Sequence, residues 1–316
     1  MTAARVVVGA AVAAVLAYPL AASPYYATHM LMFFGYAIIV LGLNLLFGYT
    51  GLLSFGHSLF VALGAYAAAF LTSHFGVRSM ELILVVAAVA GAAVAAPVGA
   101  LCVRYARIYF AMLTLAFAML FHSFLMKFYH VTGGDEGMRV LRPSLLGWDL
   151  AAVPKIQFLT VHYYYYASAV LLIAAVVMWR IVGSPFGLCL RSIRENPEKA
   201  ASLGVSVARH RWAAFVISAA YAAVGGALLA PTTGQVDPSL AYWTHSGNMV
   251  FMTLLGGFSH FFGPALGALV FIHLQDQVMS LIPYWRLVFG AILAAIVIFA
   301  PGGLMSFVAR SPGSAT

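Results

Sequence analysis

Runs of about 20 mostly apolar residues, the length a helix needs to cross a bilayer, recur along the whole chain with only short polar interruptions. Read as spans, they fall at residues 6–22, 29–47, 52–71, 82–103, 108–126, 162–182, 212–230, 245–257, 264–282 and 284–300. The stretch 245–257 is short for a full crossing and is expected to be re-entrant or broken. The run 6–22 follows Arg5 and ends in small residues, as a secretory signal does. It is read instead as a first spanning helix, because its apolar run continues to Leu20 before Pro24.

Composition agrees with this pattern. Of the 316 residues, 64% are apolar and 8% charged, so lipid is the solvent for most of the surface and no soluble domain is left over. The expected fold is all-α: one polytopic transmembrane domain over residues 1–316, a helical bundle of about ten spanning or re-entrant segments.

The net charge of +8 sits in short segments between apolar runs, where the positive-inside rule explains it without nucleic acid. Arg191, Arg194, Lys199, Arg209 and Arg211 mark residues 183–211 as a cytoplasmic loop, with Arg104 and Arg107 on the same side. The longer loop 127–160 then faces the opposite, periplasmic side, and both termini are expected in the cytoplasm. Cys102 and Cys189 are the only cysteines, too few for a disulfide framework or a metal cluster.

Within the basic loop, Ser184 before Pro185 and Asn196 before Pro197 each predict an N-cap with proline at the first helical position. Gly204 closes the second short helix. In the first, Phe186, Cys189, Leu190 and Ile193 share one face. Such an apolar face with a charged rim either docks a partner or packs on its own membrane domain. The spacings Arg194 to Glu198 and Glu195 to Lys199 are those of helix ion pairs, although Pro197 interrupts the register.

Four runs carry a family signature: LGLNLLFGYTGLLSFGHSLFVALGAY at 41–66, SPFGLCLRSIRENPEKAASLGV at 184–205, LLGGFSHFFGPALGA at 254–268 and FAPGGL at 299–304. In order and spacing they resemble the permease subunits of branched-chain amino acid ABC importers, specifically the LivM-like branch, over nearly the whole chain. The resemblance implies a bacterial plasma (inner) membrane location. It also implies a second, LivH-like permease, two cytoplasmic ATPase subunits and a periplasmic substrate-binding protein. No cofactor is expected in this chain, and ATP and magnesium belong to the partner ATPases. The resemblance further implies that Arg191, Arg194, Glu195, Glu198 and Lys199 couple to those ATPases.

Polar residues punctuate the apolar stretch that runs from the second predicted span into the third. Asn44, Thr50, Gly51, Ser54 and His57, among glycines at 48, 51 and 56, suggest a helix broken at membrane depth and a substrate pathway. The alternative is close helix packing. In the long loop, Thr132, Gly133 and Gly134 are expected to be flexible and Asp135 and Glu136 exposed, together forming a binding-protein contact or a solvated connector. Phe55, His57 and Ala62–Ala65 match Phe258, His260 and Ala265–Ala268, which suggests an internal repeat.

No GxxxxGK[ST] sequence occurs, so ATP hydrolysis would come from a partner. An ion-coupled carrier would carry several acids inside its spans, and Asp276 is the only acid well inside one. A passive channel has no need of the docking loop. No paired carboxylates, metal box or oriented Ser–His dyad marks an intramembrane enzyme. The chain reads as a transport subunit that moves a small polar solute by alternating access, with branched-chain amino acids first and urea, short amides or small carboxylates as alternatives.

Overall fold

A computed structural model describes residues 18–19, 24–105, 108–148, 150, 153–281, 283–299 and 302–306. Residues 6–17 and 20–22 of the first predicted span and the loop residue Arg107 lie outside these. Every apolar run predicted from residue 29 onward has a helix over it. The principal helices are α1 (Pro24–Thr50), α2 (His57–Ser73), α3 (Met80–Cys102), α4 (Ile108–Lys127), α5 (Tyr164–Val182), α6 (Pro185–Glu195) and α7 (Pro197–Ser202). They continue as α8 (Val207–Thr233), α9 (Trp243–Gly256), α10 (Gly263–Leu281) and α11 (Trp285–Phe299). A π-helical stretch, Phe158–Tyr163, leads into α5. Among the described residues, five helices are long and apolar enough to cross a bilayer, which with the shorter apolar helices makes this an all-α polytopic membrane protein.

α1 and α8, 27 residues each, form the centre. They run antiparallel: Gly42 lies against Ser218 and Gly35 against Gly225 and Leu229, so number rises on one as it falls on the other. These contacts are reciprocal. Gly42 and Gly225 each stand eight residues before their helix end (50 − 42, 233 − 225), and Gly35 and Ser218 each stand fifteen before it.

The symmetry continues beyond the helix ends. After α1 the chain turns at Leu52, whose N–H donates to Leu46 O, and non-helical residues 51–56 climb back into the bundle before α2 begins. After α8, residues 234–242 re-enter from the other side. Ser58, in the first turn of α2, donates its hydroxyl to Ala241 O (3.0 Å), and its N–H donates to Ser246 Oγ (2.9 Å). Ala241 therefore sits level with the middle of α8, roughly 20 Å below that helix's end at 1.5 Å per residue. α9 starts at that depth, and its 14 residues make a half-span, as expected for 245–257.

The repeat thus joins 24–73 to 207–256 in inverted orientation. The predicted echo between 55–65 and 258–268 is not a structural repeat. His57 is sealed in a hydrogen-bonded network, whereas His260 lies in a turn with its Nδ1 unpartnered.

Backbones meet closely where α2 crosses α8. A Cβ added at Gly64 would stand 1.9 Å from Ala223 O, and one at Gly226 would stand 2.0 Å from Val61 O. Only glycine permits this approach, the device by which helices pack in lipid without a hydrophobic drive between them.

Candidate functional site

Two regions carry polar chemistry inside the bundle: a junction at the face bearing the basic loop, and cavities opening at the face bearing the long loop.

At the basic face, the four signature runs converge. α1 ends at Thr50, whose hydroxyl donates to Leu45 O (2.8 Å). Arg194, in the last turn of α6, donates from Nη1 to Gly48 O, and its guanidinium lies 5.3 Å from the centre of the Phe258 ring. Phe258 packs on Phe47 at 4.9 Å. Gly303 presses on Gly257, and Leu304 N donates to Leu255 O (2.9 Å). At Gly48 a Cβ would collide with Asn44 Oδ1 and Phe258 O, so the absence of a side chain lets the turn 257–262 close against α1. Arg191 lies over Tyr49 at 5.2 Å.

The basic loop therefore clasps its own membrane domain. Leu190 and Ile193 are buried, and Phe186 stacks on His210 at 5.7 Å, so the apolar face of α6 packs inward. Leu188, Glu195, Glu198, Lys199 and Leu203 remain exposed on the outer surface of the loop. Asn196 caps α7, its Oδ1 accepting from Lys199 N (2.9 Å). Ser184 holds the predicted N-cap position, but its hydroxyl donates back to Ile181 O (2.6 Å) and caps nothing. No ion pair joins Arg194 to Glu198 or Glu195 to Lys199 among the described residues, because the break at Asn196 separates the two helices.

The pathway candidates Asn44, Thr50, Gly51, Ser54 and His57 lie elsewhere than the open space. His57 is fully buried. Ser218 donates its hydroxyl to Gly42 O (2.6 Å), so it must accept from His57 Nε2 (2.7 Å). That assigns the proton to Nε2 and leaves Nδ1 to accept from the Ser54 hydroxyl (3.0 Å), which in turn accepts from Gly56 N (3.3 Å). Every group is satisfied, and the network pins the start of α2 to both central helices. Asn44 and Thr50 are also buried, and Gly51 turns the chain at φ +76° against Arg194. None of these five residues lines either cavity.

The cavities adjoin. The larger, about 420 Å³, lies between α1, α2, α8 and the re-entrant segment, with Asp135, Thr232, Gln235 and Asp237 among its polar lining. The smaller, about 300 Å³, lies between α1, α9 and α10. Met32 and Tyr36 of α1 line both. Sequence reasoning missed these positions because the wall alternates apolar and polar. The one available signal was the spacing His29, Met32, Tyr36, which at i, i+3 and i+7 share one helical face.

The long loop is bound to the larger cavity. Residues 138–139 pair antiparallel with 235–236, and Gln235 Nε2 donates to Glu136 O. Thr132 is buried and donates to Leu125 O (2.6 Å), while Gly133, Gly134 and Gly137, all at positive φ, fold a tight turn. Thr132, Gly133 and Gly134, expected to be flexible, form a turn in which the Thr132 hydroxyl also accepts from Gly134 N (3.4 Å). Asp135 and Glu136 are exposed as expected. His122 Nδ1 contacts Pro238 O (2.9 Å) and further anchors the re-entrant segment. Among the described residues no group of His, Cys, Asp or Glu has the makings of a metal site.

A bundle of spanning and half-spanning helices, with open cavities at one face and a packed junction at the other, defines a membrane transport subunit. The chain belongs to the permease component family of the branched-chain amino acid transport system, whose model matches residues 25–298. It is 28% identical over 290 residues to the high-affinity branched-chain amino acid transport system permease protein LivM of Salmonella typhimurium, covering 85% of this chain and 67% of that protein. It is 24% identical to a probable branched-chain amino acid transport permease protein LivH of Methanocaldococcus jannaschii, covering 83% of this chain and 84% of the relative. A guanosine ABC transporter permease protein, NupQ, of Bacillus subtilis matches at 29% over 44% of this chain and 43% of its own. No solved structure gives a significant match. The chain is thus an ABC transporter permease subunit, a transport component rather than an enzyme, of a class that works with ATPase partners in the membrane.

Proposed function

We propose that this subunit forms part of the translocation pathway of a bacterial inner-membrane importer for a small amphipathic solute, branched-chain amino acids foremost. The basic loop faces the cytoplasm, where two ATPases bind it, and the long loop faces a periplasmic binding protein. A LivH-like permease completes the membrane portion. N- and C-termini are cytoplasmic in this orientation.

One observation carries the reading. Arg194, in the loop proposed to meet the ATPases, donates to the last turn of α1, the helix whose opposite half lines both cavities. Force applied to the exposed surface of α6 and α7 would reach the seal through this bond and the adjacent Phe258 contact. Cavities at the long-loop face above a packed lower half of α1 support the reading of an outward-open state. Below Tyr36 the same face of α1 continues as Val40 and Leu43, both fully buried, and then Phe47 against Phe258. Alternating access requires that seal to part when the ATPases change state.

In this arrangement Arg194 is a transmission residue clamped to its own subunit. Leu188, Arg191, Glu195, Glu198, Lys199 and Leu203 are among the exposed groups available to the ATPase surface. The test is ATP-dependent uptake of labelled leucine by vesicles holding this chain with its permease, ATPase and binding-protein partners. Arg194→Glu is expected to cut uptake at least tenfold while ATP hydrolysis continues. Equal uptake by the variant, or uptake by wild-type vesicles without ATPase subunits, would overturn the reading. Nucleosides form the second solute class to include, because Tyr36 and Phe271 offer aromatic faces in the smaller cavity.

A further inference from the structure

We infer that the smaller cavity is a solute site selective for a protonated amine on a compact apolar body, with Asp276 as the residue that selects the amine. The inference rests on the importer reading above and deepens it.

The cavity is graded from mouth to floor. Toward the long-loop face stand His29 of α1, His245 and Asn248 of α9, and Gln275 and Asp276 of α10. One or two turns deeper stand Tyr36, Met252, Phe271 and Ile272. The three helices present these residues at helical spacing: 29, 32 and 36; 245, 248 and 252; 271, 272, 275, 276 and 279. At about 300 Å³ the cavity is at the small end of ligand pockets, which run from about 300 to 1,000 Å³.

Charge narrows the ligand class. Among the described residues no Lys or Arg lines either cavity, and Asp276 is the only acid on the wall of this one. Its carboxylate accepts from Tyr25 OH (3.0 Å) and lies 3.2 Å from His29 Nε2. A carboxylate offers about four lone-pair sites, so these partners leave room for a further donor. They also hold the group facing the cavity. A wall with one fixed negative charge and an apolar floor favours a cation over an anion, because the attraction strengthens as water is displaced.

A second observation points to a ligand. His245 Nδ1 is buried and has no hydrogen-bond partner, on a side chain that lines the cavity. A buried polar atom left unpaired is destabilising, and a ligand donor or acceptor would recover that loss. With the amide groups of Asn248 and Gln275 beside it, the site can pair the remaining polar end of a zwitterion without any cationic side chain. An anion lacking an amine meets the Asp276 carboxylate with no Lys or Arg among the described lining to offset it.

The probe is a cysteine at the cavity mouth, Met279→Cys, on the assembled membrane complex in lipid nanodiscs without binding protein. The rate of alkylation by a small maleimide is then measured. Leucine and 3-methylbutylamine are expected to slow it at least threefold, while 4-methylpentanoate, the same body with a carboxylate and no amine, is not. Asp276→Asn in that background should abolish the protection and Asp276→Glu should retain it, each variant being checked for an unchanged melting temperature. Protection by 4-methylpentanoate equal to that by leucine, or protection that survives Asp276→Asn, overturns the inference. Wild-type vesicles that import leucine with ATP while no amine slows alkylation overturn the site and leave the importer reading standing. Wild-type vesicles that import uridine and no amine-bearing solute overturn the amino acid reading and the amine site together.

Discussion

His57 shows how a polar residue in a membrane span can serve architecture. Its two ring nitrogens, Ser54, Ser218 and Gly42 O form a closed chain of donors and acceptors at the point where the broken helix meets both central helices. Removing the imidazole leaves the Ser54 hydroxyl without its acceptor and Ser218 without its donor, inside a pocket walled by Phe60 and Phe215. His57→Ala is therefore expected to lower stability by about 1–3 kcal/mol, the cost of stranding buried polar groups. The measurement is thermal unfolding in detergent. His57→Gln, which offers one donor and one acceptor, should recover part of the loss. If His57→Ala instead leaves the melting temperature unchanged and abolishes uptake, the residue belongs to the pathway after all.

At the residue scale the sequence was informative about where polarity is placed and silent about its use. Asn44, Ser54 and His57 stand out because they interrupt leucines and phenylalanines. The cavity wall of Met32, Tyr36, Met252 and Phe271 does not, because an amphipathic solute needs apolar partners that read as ordinary membrane-span residues.

Among the elements, the helix breaks were the most legible feature. Glycines at 48, 51 and 56 bracket the segment that interrupts α1 and α2, and the shortness of 245–257 betrayed the half-span. The inverted repeat was invisible. It rests on equal helix lengths and reciprocal contacts, and Gly42 with Ser218 corresponds to Gly225 with Gly35 although the residue identities differ. What aligned by identity, 55–65 with 258–268, did so through the Ala, Leu and Gly that crowded helices share. The crossing of α2 and α8 supplies a test at this scale. Gly64→Leu would force apart backbones that now meet at van der Waals distance, and overpacking of a rigid interface costs about 1–3 kcal/mol or more. Folded yield on size-exclusion chromatography should fall sharply, whereas Gly76→Leu, where nothing stands within 4 Å of an added Cβ, should be better tolerated despite its positive φ.

The whole molecule is open toward the long loop and closed toward the basic loop. A cysteine at Thr232, on the wall of the larger cavity, should react with a membrane-impermeant maleimide applied from the long-loop side. A cysteine at Val40, fully buried one turn below Tyr36, should stay unreacted until the transporter turns over with ATP. Labelling of Val40→Cys at rest would mean that no seal exists there. At this scale the hydrophobic pattern and the charge asymmetry were sufficient to give an all-α membrane bundle with a basic loop between two spans. The inward turn of Arg194 was not predictable, because a guanidinium beside glycine-rich sequence has no local signature for the carbonyl it will find.

The pairing of residues 138–139 with 235–236 ties a surface turn to the wall of the larger cavity. The position of that wall is set from outside the bundle, by the register of two short strands and the length of the turn before them. A descendant of this protein facing a bulkier cargo would not have to recarve a packed helical core. Adding or deleting a residue in an exposed turn would slide the re-entrant segment and resize the chamber beneath it. Selectivity in such a protein is open to change at its most permissive surface, while the glycine-packed centre stays as it is.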